Sequence, residues 1–433
     1  MRRMALGALA ACSLLAASCG NATLQTSTAG NTTGVYPSKI VVGALASMTG
    51  PDPSEFAPVV SGVQAYLDMV NSEGGVNGRK IVLADVADDQ SSSSLDAVQA
   101  RNLVQQDHVF AIVGVGTATF TGASFLASHN VPTFGYDINS NSEWGAGPSL
   151  FGNTGSYLDF TPAGPERAYL AQQLHTRKAA VIAYDYPQSS QGCQGVVNSL
   201  RKFGIPVAYE NLSVPVPVVS LTTEVQRIAS AGVDLVVSCM DITGNILLSD
   251  TLQQAGLAGV HQLWFSGYNP VYLKKYPSQL NGVYFFVPQV PFEAPALYPG
   301  HYKAMTQFLH WMSRLSPPAR PTQAALAGWV NADQFVTGLR AIGRDVTRER
   351  LIAAVNKMTN FTAGIMPGVD WQVAHHGDGS TNCNVFVEAR AGRFVPVFAS
   401  PPHVFTCFPQ PYPSKDLSGP ITTIPAPAGV PGG

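Results

Sequence analysis

The sequence predicts an α/β protein of two similar lobes, each built around a mainly parallel sheet. Strand-like apolar runs alternate with amphipathic helical windows from residue 39 onward, the pattern of successive βα units. The alternation lapses over an irregular stretch at 138–161 and then restarts, so one α/β lobe follows another. No short-period repeat is visible, which excludes solenoids and propellers.

Taken in order, 39–46 is the first strand. Between 58 and 72 apolar side chains fall at Val59, Val63, Tyr66, Leu67 and Val70. This i, i+4, i+7, i+8, i+11 stripe predicts a helix, and Gly74-Gly75 stops it. Strand 80–86, helix 94–106, strand 109–115, helix 120–129 and strand 131–136 complete the first lobe. A helix ending near His175 opens the second. Strands at 179–184, 206–211, 233–239 and 263–265 then alternate with helices at 190–203, 221–231 and 245–255. A further strand at 282–287 precedes three helices, 298–315, 323–342 and 348–357. These cannot extend the second alternation and are expected to return to the first lobe.

Composition narrows the function. Of 433 residues only 12% are charged, about half the roughly 25% usual for soluble domains, while 45% are apolar. A core can be built, and neither disorder nor a polytopic membrane protein fits. A net charge of −2 offers no cationic field for phosphates, which argues against nucleic-acid binding.

Arg2 and Arg3 precede an apolar run at 4–18, too short to span a bilayer but suited to a signal-peptide core. Removal of 1–18 takes both arginines and moves the net charge to −4. Leu15-Ala16-Ala17-Ser18-Cys19 resembles a bacterial lipobox, which implies diacylation of Cys19; Ala16 departs from the usual Leu, and Cys12 is the alternative. Residues 19–37 read as a lipidated flexible tether and 409–433 as a Pro-rich disordered tail. No other stretch reaches 18 apolar residues, so the body is expected outside the membrane, held by lipid.

Export places Cys193, Cys239, Cys383 and Cys407 in an oxidising compartment, where two disulfides are expected. Four cysteines allow three connectivities. The pairing we expect is Cys193 with Cys239, joining a helix start to a strand end, and Cys383 with Cys407, pinning adjacent C-terminal strands. No CxxC spacing supports zinc. His375-His376, in a segment expected to be strand, would point to opposite faces, so no metal and no cofactor are expected.

Gly114-Val115-Gly116-Thr117-Ala118-Thr119 follows a buried strand, and Asp137 ends the next one, imitating a dinucleotide fingerprint. Thr119 replaces the third glycine, and its side chain would crowd the helix, so a nucleotide-dependent enzyme is the weaker alternative. The same segment suits a carboxylate better, through the N–H groups of Thr117, Ala118 and Thr119 at a helix start. No GxSxG and no spaced nucleophile and base occur, so no enzyme activity is expected.

The segment 39–47, then Met48-Thr49-Gly50-Pro51, Gly62, residues 71–80 with their GGVNGRK core, and Asp88-Asp89 resemble the branched-chain amino-acid (Leu/Ile/Val) binding protein family. That resemblance extends over about 39–397. It implies a solute-binding lipoprotein of an ABC importer, with two Rossmann-like lobes joined by three crossovers near 151–156, 287–291 and 361–368. Lobe one would then comprise 38–153 and 290–364, and lobe two 154–289 and 365–408.

By the same resemblance Ala118 is the donor to a ligand carboxylate, flanked by Thr117 and Thr119. Asp137 and Asn139 match the positions holding the α-amino and carboxylate groups. Glu55 matches a first-lobe tyrosine, Ser189 and Asp241 match aromatic contacts, and Tyr268 matches the acid that pairs with the ammonium. These departures argue against leucine-like ligands. Asp241 or Asp137 can supply the missing charge, and Tyr184, Tyr186 and Trp264 are candidates for an apolar pocket.

The expected function is therefore binding of a small amino-acid-like, amide or carboxylate solute by a monomer that closes its lobes for a membrane permease. The expected location is the outer face of the bacterial cell membrane, or the periplasm. A ligand-sensing receptor of the same fold, acting with a signalling partner, is the alternative.

Overall fold

A computed structural model describes residues 30–51, 53–138, 141–156, 159–377, 382–408 and 417. The first sheet contains β1 (Lys39–Ala46), β2 (Lys80–Asp88), β3 (Ala111–Gly116), β4 (Thr133–Gly135) and β5 (Leu150–Gly152), all parallel in the order β2-β1-β3-β4-β5. The second contains β6 (Ala179–Tyr184), β7 (Val207–Val214), β8 (Leu235–Ser238), β9 (His261–Trp264), β10 (Val283–Val287), β11 (Cys383–Arg390) and β12 (Arg393–Val397). Its order is β12-β11-β10-β9-β8-β6-β7, with β13 (Thr406–Cys407) paired to β11. The strands from β6 to β10 are parallel, and the chain closes with the antiparallel β11, β12 and β13. The fold class expected from the alternation is thus the one observed.

The chain leaves the first sheet after β5, comes back to that lobe after β10, and passes to the second sheet again between the Arg348–Val355 helix and β11. Two of these passages spring from the carboxyl ends of strands, so the carboxyl edges of both sheets adjoin the hinge. There the segments are bonded to one another: the Val290 amide donates to the Ile365 carbonyl at 2.9 Å, and the Ser156 amide to the Ala374 carbonyl at 2.9 Å.

The late helices return to lobe one, as their position in the sequence implies. The Gln323–Ile342 helix lies along the Pro58–Ser72 helix at backbone contact. A Cβ on Gly62 would sit 1.7 Å from the Ala325 carbonyl oxygen, and one on Gly328 would sit 2.0 Å from that of Val59. Tyr66 meets Trp329 edge to face at 4.9 Å. The next helix is locked to the first sheet by Arg348, whose buried guanidinium donates to the carbonyls of Phe110 at 2.9 Å and Val109 at 2.6 Å.

Three expectations are corrected. The helix expected at 120–129 spans only Ala123–Ser128, because side-chain acceptors hold the preceding turn: Asp96 takes the Gly122 amide at 2.6 Å and Glu143 the Phe120 amide at 3.0 Å. The helix expected at 298–315 begins at Lys303, after Pro299 and Gly300, whose φ of +88° no helix accommodates. The histidine pair lies in a run of turns, not a strand. His375 is packed against Trp371 and Phe151 with both ring nitrogens buried and unpartnered, and burial pushes its pKa down to about 4.

Of the segment read as a tether, residues 30–37 lie against lobe one: the Asn31 carbonyl accepts the Arg348 backbone amide at 3.0 Å, and the Asn31 amide donates to Glu349 Oε2 at 2.9 Å. Cys19, residues 1–18 and all of the tail except Leu417 lie outside the described residues. Both disulfides form, Cys193–Cys239 and Cys383–Cys407. No helix among the described residues is long and apolar enough to cross a membrane.

Candidate functional site

Loops at the carboxyl ends of the parallel strands form the two walls beside the hinge. In lobe one, the exit of β1 is held by carboxylates at the end of β2 and just after it. Asp88 accepts the amides of Met48 and Thr49 and the Thr49 hydroxyl, while Ser47 donates to the buried Asp89 at 2.6 Å. After β3, Thr117 is buried and its hydroxyl has no partner. The half-buried Thr119 turns its hydroxyl to Ser93 at 3.1 Å, and Ala118 lies between them. Because the helix starts at Ala123, these three residues precede a capped turn and do not form a helix N-terminus.

Asp137, after β4, is buried. Its Oδ2 accepts the Thr154 amide at 3.0 Å and the Thr154 hydroxyl at 2.5 Å, tying it to the first crossover. Burial pushes its carboxyl up to about 7, with the Thr154 bonds opposing. Glu55 is half-buried and comes within 3.5 Å of the Tyr136 hydroxyl. Burial, then the nearby Glu55 and Asp137 charges, raise the Tyr136 pKa. Asn139 lies outside the described residues.

In lobe two, Ser189 is buried and occupied by the backbone: its hydroxyl accepts from the Tyr184 amide and donates to the Cys239 carbonyl, both at 2.8 Å. Asp241 is exposed and caps the Ile242–Gln254 helix, Oδ1 accepting the Gly244 amide at 2.8 Å and the Tyr184 hydroxyl at 2.7 Å. The Tyr184 and Tyr186 rings are 5.7 Å apart. Beside them the loop after β7 exposes Val216 and Val219, because β7 runs parallel to β6 with Val214 opposite Tyr184. Trp264 is fully buried core and lines no pocket.

Tyr268, after β9, is buried between Phe292 and Phe394. Its hydroxyl donates to Glu293 Oε2 at 3.0 Å and accepts the Phe292 amide at 2.9 Å. Burial pushes the Glu293 carboxyl up to about 7, opposed by its own backbone and the Tyr268 bond. Glu293 and Tyr136, which bond to candidate residues Tyr268 and Glu55, are not singled out by the sequence reasoning. Glu293 carries no motif; its only signal is an isolated acid between Pro291 and Pro295 in the second crossover.

The walls therefore carry hydroxyls and carboxylates on one side, and tyrosine rings, an exposed carboxylate and aliphatic side chains on the other. Such a surface can bind a small polar or aromatic solute. Among the described residues no group of three or more His, Cys, Asp or Glu side chains is placed to hold a metal.

Comparison with known proteins accords with this geometry. A family model described as periplasmic binding protein matches residues 39–393. No curated protein matches the chain. Among solved structures, a leucine-binding protein LivK from Thermotoga maritima has a TM-score of 0.65 at 15% identity, covering 82% of this chain and 97% of its own. A fatty acid ABC transporter substrate-binding protein from Thermomonospora curvata has a TM-score of 0.65 at 18% identity, covering 85% and 94%. A solute-binding protein from R. palustris, in complex with benzoate, has a TM-score of 0.64 at 17% identity, covering 83% and 95%.

Proposed function

Because the chain belongs to the periplasmic binding protein family, we propose that it is the extracytoplasmic, lipid-anchored solute-binding subunit of an ABC importer. It acts as a monomer, and its solute is a small amino-acid-like, amide or carboxylate compound taken between the lobes. The observation that carries this reading is that both sheets present the carboxyl ends of their parallel strands beside one hinge, the place where open α/β sheets bind ligands. Closure is stabilised by the solute's higher affinity for the closed form, which a permease recognises.

The lobe-two wall supports a solute unlike leucine. Ser189 is spent on backbone bonds, Asp241 offers a charge, and Tyr268 already holds a carboxyl of the protein itself. Thr117 and Thr119, with Ala118 between them, are the lobe-one groups we assign to a solute carboxylate.

A thermal-shift screen of amino acids, amides, urea, aromatic acids and short peptides tests the proposal. A solute at 100 times its dissociation constant stabilises by about 2.7 kcal/mol. One class should raise the melting temperature and be recovered chemically unchanged. If leucine and isoleucine are the strongest hits, the reading of Tyr268 and Asp241 is wrong; turnover of the bound compound would make the protein an enzyme. Fatty-acid labelling that is lost in Cys19→Ala tests the anchor.

A further inference from the structure

A second cavity, of about 250 Å³, lies on the helical side of lobe one, between the Pro58–Ser72, Lys303–Arg314 and Gln323–Ile342 helices. Asp333 lies in its wall. The Tyr66 hydroxyl donates to Asp333 Oδ1 at 2.5 Å and the Thr337 hydroxyl to the same oxygen at 3.3 Å. Both donors thus converge on one carboxylate oxygen. Trp329 and Tyr66, both buried, supply aromatic wall, and Glu73 and Arg340 stand exposed at the rim.

Charges of both signs therefore line one small cavity, yet among the described residues Glu73, Asp333 and Arg340 form no ion pair with one another or with any other residue. A simple ammonium would be drawn by the two acids but opposed by Arg340. A simple carboxylate would be drawn by Arg340 and opposed by both acids. Only a ligand carrying both charges is favoured by all three, and the volume, below the roughly 300–1,000 Å³ of drug-sized sites, limits it to a small one.

We propose that this cavity is a second binding site, separate from the cleft, for a small zwitterion whose ammonium meets Asp333 and Glu73 and whose carboxylate meets Arg340. The site does not depend on the reading of the cleft, since none of its residues lies at the carboxyl end of a strand. Burial raises the Asp333 carboxyl above the ordinary carboxylate range, with the Tyr66 and Thr337 bonds and Arg340 opposing. Because the ammonium is drawn by the ionised acid, binding should be measured over a series of pH values and should strengthen as pH rises.

The test uses protein labelled at its methionine methyl groups, because Met69 lines the cavity, with its resonance assigned through Met69→Leu. Glycine is titrated into the millimolar range, with methylammonium and acetate as single-charge controls. The expected result is a saturable shift of Met69 with glycine and at least about tenfold weaker responses to either control. Asp333→Asn, which keeps an acceptor for Tyr66, and Arg340→Gln, at an exposed position, should each weaken glycine binding by about the same factor. The cleft variant Asp241→Asn should leave the saturable Met69 shift itself unchanged, whatever it does to binding in the cleft. The proposal is overturned by the absence of a saturable Met69 shift, by an equal response to methylammonium, or by wild-type binding in either cavity variant.

Discussion

The Tyr268 hydroxyl donates to Glu293 Oε2 at 3.0 Å, joining the loop after β9 in lobe two to the crossover that leads back to lobe one. The same hydroxyl accepts the Phe292 amide at 2.9 Å. Tyr268 thus fastens a wall of the cleft to the hinge, and it does so with a carboxyl that burial makes costly to ionise.

That cost predicts a pH dependence of stability. The Glu293 carboxyl rises from 4.5 to about 7 in the folded protein, so the folded state binds the proton more tightly than the unfolded chain does. The contribution of this group is therefore largest below about 4.5 and is lost as pH rises through about 7. Asp137 and Asp96, each pushed to about 7 mainly by burial, add the same sign. Glu293→Gln keeps an acceptor for Tyr268 and should raise the melting temperature by a few degrees at pH above about 7, up to roughly 3 kcal/mol, with little change near pH 4. Identical melting curves for mutant and wild type across this range would remove the proposed cost.

Asp241 has a structural duty beside its assigned role with the solute. Because Oδ1 accepts the Gly244 amide, Asp241→Ala should cost about 1 kcal/mol in chemical denaturation, whereas Asp241→Asn preserves the cap and should cost under about 0.5 kcal/mol. The Asn variant therefore isolates the charge. An ammonium-bearing solute should bind it at least about tenfold more weakly than wild type in calorimetry. Unchanged affinity would leave Asp241 a cap only.

The alternation of strands and helices was legible because burial imposes it: β1 (Lys39–Ala46) and β6 (Ala179–Tyr184) stand where their apolar runs begin and end. The return of the late helices was legible too, since a second lobe with its alternation complete has no place for them. The site was less so. Thr117 to Thr119 read as a helix start because nothing local shows that Asp96 and Glu143 would take the amides of Gly122 and Phe120. Likewise, Ser189 looks available until folding brings the Cys239 carbonyl to it across 50 residues. Side-chain partners that are remote in sequence decide which polar groups remain for a ligand.

Gly62 and Gly328, 266 residues apart in the chain, allow two helices to touch through their backbones. A methyl group at Gly62 would lie 1.7 Å from the Ala325 oxygen and 2.8 Å from the Trp329 nitrogen, atoms that cannot rotate away. Gly62→Ala gains about 1 kcal/mol in helix propensity but must force the helices apart. We expect a net loss of about 1–3 kcal/mol or more in denaturant unfolding, and a similar loss for Gly328→Ala. A variant as stable as wild type would mean that the helices are not in backbone contact.

The two disulfides should differ in what they hold. Cys193–Cys239 closes 46 residues of lobe two and joins the Pro187–Lys202 helix to the segment just after β8. Cys383–Cys407 closes 24 residues and holds β13 against β11. Loop-closure entropy assigns each about 3–4 kcal/mol, but the structure they restrain is unequal. Replacing Cys193 and Cys239 by Ser releases a bridge between that helix and the strand end of β8 and should lower the melting temperature of the whole lobe. The pair at 383 and 407 restrains a two-residue edge strand followed by Phe408, whose ring packs 5.4 Å from Tyr169. Its removal should first appear locally, as faster hydrogen exchange at the Phe408 amide, which donates to the Asn382 carbonyl at 2.7 Å, ahead of global unfolding. Equal exchange at that amide with and without the bridge would show that Phe408 and its packing hold the segment unaided.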